Sequence, residues 1–269
     1  MIQMLKRQIE TLTLDFDSDK YEQKLISLQS AEKNYEEKST FHKHFKGQLI
    51  MPIKGVVKTT IDNSIWVASP GNAIWIPSQI YHDNLTAPNS EVYMLFINPS
   101  LCKVFQNACT LSISPLIREL IMFLSKQPLD ELFNKTNDQA VDLLIDQLSK
   151  MKVEFYNFPL PNDKTLRSIA EKWLDNPTDR RPISYWANEN AMSEKTLSRK
   201  VKQEIGLTFD QWKKQLYIVL AMQKLNDGTS IQLISEDLGY ESVSAFIVFF
   251  KNALGCTPKK YIKILKGNK

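Results

Sequence analysis

Ser193-Glu194-Lys195-Thr196-Leu197-Ser198-Arg199-Lys200-Val201-Lys202 reads as a short helix with a marked start and two unlike faces. The leading serine can accept a backbone N–H of the first turn. Gly206, four residues past the stretch, suits the left-handed position that ends a helix. Leu197 and Val201 lie four apart and face inward with Ile205, so Lys195, Ser198, Arg199 and Lys202 project together on the other side. The plan recurs in Ser242-Val243-Ser244-Ala245-Phe246-Ile247-Val248-Phe249-Phe250-Lys251, opened by serine and closed by Gly255. A shorter helix and a tight turn precede each stretch: 183–190 with Ala191-Met192, and 231–238 with Gly239-Tyr240. Two helix-turn-helix units are therefore expected, at about 183–205 and 231–254.

Outward from these units, residues 164–174, 208–226 and the stretch from Pro258 also read as helices, which makes 164–269 an all-α domain. Asn157-Phe158-Pro159-Leu160-Pro161-Asn162-Asp163 interrupts the pattern with two prolines and two asparagines, a boundary with a linker at 158–163. Upstream, 115–126 and 137–151 carry helical apolar stripes, and 101–157 reads as a helical connector. Between Phe41 and Pro99, runs rich in Ile, Val, Trp and Tyr (47–51, 56–61, 65–68, 73–76, 92–97) alternate with Pro, Gly, Asn and Asp. That is the pattern of an antiparallel barrel or sandwich. The first forty residues read as loose structure followed by a helical or mixed segment. The fold class is α+β, with the β-rich part at 1–100.

Charge separates the halves. Of 34 Lys+Arg and 30 Asp+Glu, residues 161–269 hold 18 and 12, and the first 160 hold 16 and 18. A basic all-α half beside a mildly acidic one points to a polyanion as its partner. In that setting Arg199 has the planar fork that matches a guanine edge, and Lys195 and Lys202 serve as phosphate clamps. Thr196 sits on the same face. The second stretch is largely apolar, with Phe246, Phe249 and Phe250 in the core; Ser242, Ser244 and Lys251 remain for the DNA backbone. The second unit is thus expected to position the protein while the first reads bases.

At 269 residues with 43% hydrophobic and 24% charged residues, the chain is neither a disordered tail nor a collagen-like rod. No run reaches the ~20 apolar residues of a membrane span. Lys6, Arg7 and Glu10 occupy the place of a signal-peptide core, and three cysteines (Cys102, Cys109, Cys256) suit neither a disulfide framework nor a metal pair. A cytoplasmic, reducing setting is expected, with no membrane partner.

The stretches Met192 to Arg199, Gly206-Leu207-Thr208-Phe209-Asp210-Gln211-Trp212, Leu238-Gly239-Tyr240-Glu241-Ser242, Ser244-Ala245-Phe246, Phe250-Lys251 and Leu254-Gly255-Cys256-Thr257-Pro258 resemble the AraC/XylS family of transcription regulators. The resemblance covers roughly 164–269. It implies two units joined by one long helix, here 208–226, that enter successive major grooves of double-stranded promoter DNA. It also implies a homodimer formed through the helical connector, and RNA polymerase as a possible partner. Ala191 stands where that family has glycine, and Asn190 is the neighbour expected to take the left-handed conformation in its place. An arginine common in the second unit is Val248 here, so its contact is not carried over.

All three histidines lie in the β-rich part. His42-x-His44-x3-Gln48 with Gly55, and Gly71-x5-Pro77-x-Gln79-x2-His82, resemble the two motifs of cupin barrels, H-x-H-x(3,4)-E-x(6)-G and G-x(5)-P-x-G-x(2)-H. His42 and His44 alternate along a strand and share a face. With Gln48 and His82 they form a candidate set for Ni, Zn, Fe or Mn. Gln48 replaces the usual Glu, and Gln79 a glycine. Without metal the histidines would line a pocket for a small organic effector, with Trp66, Trp75, Tyr81 and Tyr93 nearby.

The expectation is a sequence-specific DNA-binding regulator, not an enzyme, whose cupin-like barrel senses a small molecule or a metal ion. The alternative is a metal-dependent cupin enzyme carrying a DNA-binding domain.

Overall fold

Gly47 to Pro52 and Val92 to Ile97 are near-continuous apolar runs, the pattern of strands covered on both faces. The structure, a computed structural model, describes residues 14–30, 32–101, 105–128, 135–151, 153–154 and 156–265. The two runs are β3 (Gly47–Lys54) and β8 (Glu91–Ile97), paired antiparallel with Leu49 opposite Leu95. They are central in a six-stranded sheet ordered β1 (Leu25–Gln29), β8, β3, β6 (Asn72–Ile76), β9 (Cys109–Ser112), β10 (Val153–Glu154). A second sheet runs β5 (Ser64–Ala68), β4 (Val57–Ile61), β7 (His82–Thr86), β2 (Glu37–Lys38).

Alternation divides the side chains between two cores. Ile50, Met94, Phe96, Ile26, Ile74 and Ile76 meet Val57, Ile61 and Trp66 in one cluster. Leu49, Met51, Tyr93, Leu95 and Trp75 meet α1 (Pro115–Ser125) and α2 (Lys135–Ser149) through Ile117, Ile121, Leu124, Leu144 and Leu148 in the other. Gln48, one residue from Leu49, therefore shares the face of Ile50 and is fully buried.

Strands also form outside the five expected runs, β1, β7 and β9 among them. β1 lies where loose or helical structure was expected, and its buried Ser27 donates to the Ile121 carbonyl at 2.9 Å. β9 lies in a region expected to be helical, but four residues are too few for periodicity to declare a strand. β7 contains Asp and Asn, poor strand formers by themselves; Asn84 accepts from the Thr59 hydroxyl with its side chain and donates its backbone N–H to Ser39 Oγ, at 2.9 Å each. Residues 1–13 and Cys102 lie outside the described residues.

A second compact unit comprises 63–65 and 156–263. Its elements are β11 (Asn157–Pro159), α3 (Lys164–Asp175), α4 (Ile183–Glu189), α5 (Glu194–Ile205), α6 (Phe209–Asn226), α7 (Ile231–Asp237), α8 (Val243–Leu254) and α9 (Pro258–Leu265). The stretch read as a linker packs its side chain: Phe158 is buried and stacks on Trp212, ring centroids 5.9 Å apart. Trp173 meets both Trp212 and Trp186, at 4.8 and 6.0 Å, and knits α3, α4 and α6 into one core. Among the described residues no helix is long and apolar enough to cross a membrane.

Candidate DNA interface and candidate metal centre

Both helix-turn-helix units are built by local hydrogen bonds. Ser193 accepts from the Thr196 N–H and Ser242 from the Ala245 N–H, and α5 and α8 end on left-handed Gly206 and Gly255. The two turns share one bonding scheme. Ala191 and Met192 donate to Asn188 and Ala187; Gly239 and Tyr240 donate to Glu236 and Ser235. The left-handed residue of the first turn is Ala191 itself, with φ 51°, while Asn190 has φ −108°. Asn190 was expected to take that role, but its side chain is bonded to the Trp186 carbonyl at 2.8 Å and its backbone closes α4.

On α5, Leu197 and Val201 are buried, whereas Lys195, Thr196, Ser198, Arg199 and Lys202 are exposed. Lys202 donates to the Gly206 carbonyl at 2.7 Å, so it caps its own helix. Lys200 is turned aside and pairs with Asp163. On α8, Phe246 and Phe250 are buried, Phe249 is half-buried against Tyr217 and Tyr240, and Ser242, Ser244, Val248 and Lys251 are exposed. The face of α5 is thus cationic and that of α8 mostly small and apolar, an arrangement with donors for base edges and phosphates on one helix above all.

The β-rich compact unit brings its histidines together. A bridge pairs the His42 and His82 backbones, N–H to O at 2.9 and 2.8 Å. The loop after His42 is held from the N-terminal side, where Asp15 accepts from Thr40, Asp19 from the Phe45 N–H, and Lys46 donates to the Ser18 and Tyr21 carbonyls. Gln79, at the motif's glycine position, has φ 63° and donates its N–H to the His44 carbonyl at 2.9 Å. One nitrogen from each of His42, His44 and His82 lies within 4.8 Å of the others.

Each Nδ1 faces a backbone carbonyl, of Thr40, Lys46 and Ile80 respectively. A carbonyl only accepts, so each Nδ1 carries a proton, and in a neutral ring Nε2 then keeps its lone pair. Burial above all holds His44 below the usual imidazole range and pushes His82 down to about 3, so both are neutral at pH 7. Gln48 Oε1 stands 2.9 Å from His82 Nε2 and 3.3 Å from His44 Nε2, and its buried amide nitrogen has no partner among the described residues. Either the amide turns its NH2 to the imidazoles, or its oxygen and their lone pairs share a cation. Neighbouring ligand atoms of a metal with ~2.1 Å bonds stand ~3 Å apart; the Gln48 oxygen already stands so from two imidazoles, while the histidine nitrogens, within 4.8 Å of one another, would have to close in to share one ion.

Residues 186–264 match a model described as a helix-turn-helix domain. The HTH-type transcriptional regulator NimR of Escherichia coli K12 is 36% identical over 224 residues, 83% of this chain and 82% of that protein. The chain belongs to the AraC/XylS family of transcription regulators. A more distant regulator, RipA of Corynebacterium diphtheriae, is 28% identical over 102 residues, 38% of this chain and 30% of its own length. Among solved structures, ToxT from Vibrio cholerae aligns over 90% of this chain and 98% of its own, at 15% identity and TM-score 0.39.

In this AraC/XylS regulator the aromatic residues expected around the histidines divide. Trp66 belongs to the core on the histidine side of the six-stranded sheet, but Trp75 and Tyr93 face the helices on the other side. Tyr81 is exposed and stacks on Phe41. Arg180, Lys213, Tyr217 and Tyr240 escaped the sequence reading; Arg180 meets Tyr217 and Tyr240 from 37 and 60 residues away in sequence, where no local pattern announces them.

Proposed function

We propose that the chain is a cytoplasmic, homodimeric regulator that binds double-stranded promoter DNA in a sequence-specific manner and answers to an effector held in its barrel. The observation that carries the DNA reading is the exposed cationic face of a capped α5 opposite buried Leu197 and Val201. Arg199 takes a guanine edge, Lys195, Lys202 and Lys251 take phosphates, and Thr196, Ser198, Ser242 and Ser244 bond the sugar-phosphate backbone or base edges. Bound promoter is then offered to, or hidden from, RNA polymerase. The relatives being named regulators favours a binding protein over the metal-dependent cupin enzyme.

Fluorescence anisotropy on a duplex selected from random sequence tests this. Arg199→Ala with Lys195→Ala should weaken binding at least tenfold on the selected duplex and less on a scrambled one, since a bidentate base contact contributes about 1–3 kcal/mol of discrimination. Unchanged affinity on the selected duplex would overturn the assignment of α5.

The effector half rests on His42, His44, His82 and Gln48. These residues would hold one divalent Ni, Zn, Fe or Mn ion, which would supply a Lewis-acidic anchor for a small anionic or neutral ligand. The chain's own part is to keep each Nδ1 protonated on a carbonyl, which aims the Nε2 lone pairs inward. Elemental analysis of untagged protein should find about one metal equivalent, absent from a His42→Ala/His44→Ala/His82→Ala variant. No metal in either protein after reconstitution would reduce the set to the wall of a pocket for an organic effector.

A further inference from the structure

Between α3 and α4 the chain reads Asn176-Pro177-Thr178-Asp179-Arg180-Arg181-Pro182, and three consecutive side chains there are committed to different tasks. Asp179, buried, accepts from the Arg181 backbone N–H at 2.9 Å and from its guanidinium at 2.5 to 3.0 Å, which locks the loop on itself just before α4. The Asp179 carbonyl accepts from Lys213 of α6. Lys213 is buried too, and lies over the Trp173 ring at 5.1 Å. The loop is thereby fastened to both the first helix-turn-helix unit and the long helix.

Arg180 leaves the same loop toward the second unit. Its guanidinium lies 4.6 Å from the ring centre of Tyr217 on α6 and 4.4 Å from that of Tyr240, the last residue of the second turn. It also donates to the Leu238 carbonyl. Between Leu238 and Tyr240 stands Gly239, with φ 67°, where a Cβ would lie 3.0 Å from both Arg180 Nε and the Thr178 carbonyl. A side chain at 239 has no room while the guanidinium is in place. Tyr240 in turn packs on Phe246 and Phe249 of α8, at 5.6 and 5.4 Å. The chain of contacts therefore runs from the loop that starts the first unit, through Arg180, to the base of the second reading helix.

We infer that Arg180 is a positioning residue for DNA reading: wedged between Tyr217 and Tyr240 and bonded to Leu238, it holds the second helix-turn-helix unit at one angle to α6. This rests on the proposal that α5 and α8 both meet DNA. With the angle set in advance, the second unit's contacts follow the first as an intramolecular step at high effective concentration. With the angle free, that advantage is spent on ordering. A planar cation is needed for the double stack; an ammonium on a flexible stem does not replace it.

The test is a set of double-mutant cycles on the full chain, read by anisotropy on the selected duplex. Arg180→Ala and Arg180→Lys should each weaken binding about tenfold and lose discrimination against duplexes with one or two base pairs inserted between the two contacted segments. Lys251→Ala on α8 should cost several-fold in the wild-type chain and less than twofold beside Arg180→Ala, while Arg199→Ala on α5 keeps its full cost in both. Wild-type binding by Arg180→Lys would overturn the inference in favour of a simple charge contact. Equal costs of Lys251→Ala in both backgrounds would overturn it as well. Should Arg180→Ala fail to fold by circular dichroism, the lysine variant decides.

If neither Arg199→Ala nor Lys251→Ala affects the wild-type chain, the DNA reading itself fails, and a DNA-free measurement decides Arg180. Nitroxide amino acids at the exposed Gln203 and Asn252 report the distance between α5 and α8. Its distribution should broaden on removal of Arg180; an unchanged width would overturn the inference.

Discussion

Ala191 holds the left-handed turn position that Gly239 holds in the second unit, with the same pair of backbone hydrogen bonds around it. An L-residue with a Cβ is strained there by about 1–2 kcal/mol. Glycine regains most of that, less the extra freedom it gives the unfolded chain, about 0.4–1 kcal/mol. Ala191 is exposed, so no packing is lost. Ala191→Gly should therefore stabilise the compact unit of residues 156–263 by about 0.5–1 kcal/mol, seen as a rise in its calorimetric Tm; a fall would show that the turn carries no such strain. Gln48 makes a related point about single atoms. Its amide is buried among imidazole lone pairs, and the two ways of satisfying it, a turned NH2 or a shared cation, are the two functional readings of the barrel.

Among the elements, α1 has two apolar sides. Ile117, Ile121 and Leu124 are buried against the six-stranded sheet and α2. Leu116 and Phe123, with half-buried Leu120 between them, form a second stripe that is 46% and 40% exposed at its ends. Such a stripe is the natural seat of the proposed homodimer. Leu116→Glu/Phe123→Glu should convert a dimer to a monomer in sedimentation equilibrium without altering the near-UV circular dichroism. A dimer that survives would place the interface on another surface. Like α1 with Ser114, the helices α5, α7 and α8 carry a serine cap, and α5 and α8 also close on a glycine. Those devices are written in the sequence next to the helices they serve, so their limits were readable to within a residue or two.

In the whole molecule, two compact units carry two chemistries, an exposed cationic helix face on one and a cluster of three histidines with Gln48 on the other. His42, in an isolated bridge, and His44, in the loop before β3, are not placed by the strand alternation that was expected, whereas helix starts, stops and inward faces in the second compact unit follow from hydrogen bonds and side-chain directions within a few residues. For that reason the amino-acid order alone determined the two helix-turn-helix units and the cationic face of α5. It did not determine β1, β7 or β9, whose short or polar runs become strands only beside partners such as β8, β4 and β6. Nor did it determine that Trp75 and Tyr93 face the helices while Trp66 faces the other core, that Gln48 points at His82 from 34 residues away, or that Arg180 enters between Tyr217 and Tyr240. Each of these depends on which face of an element another element covers. That is settled by packing between distant segments, where burial and the satisfaction of polar groups outweigh any local preference.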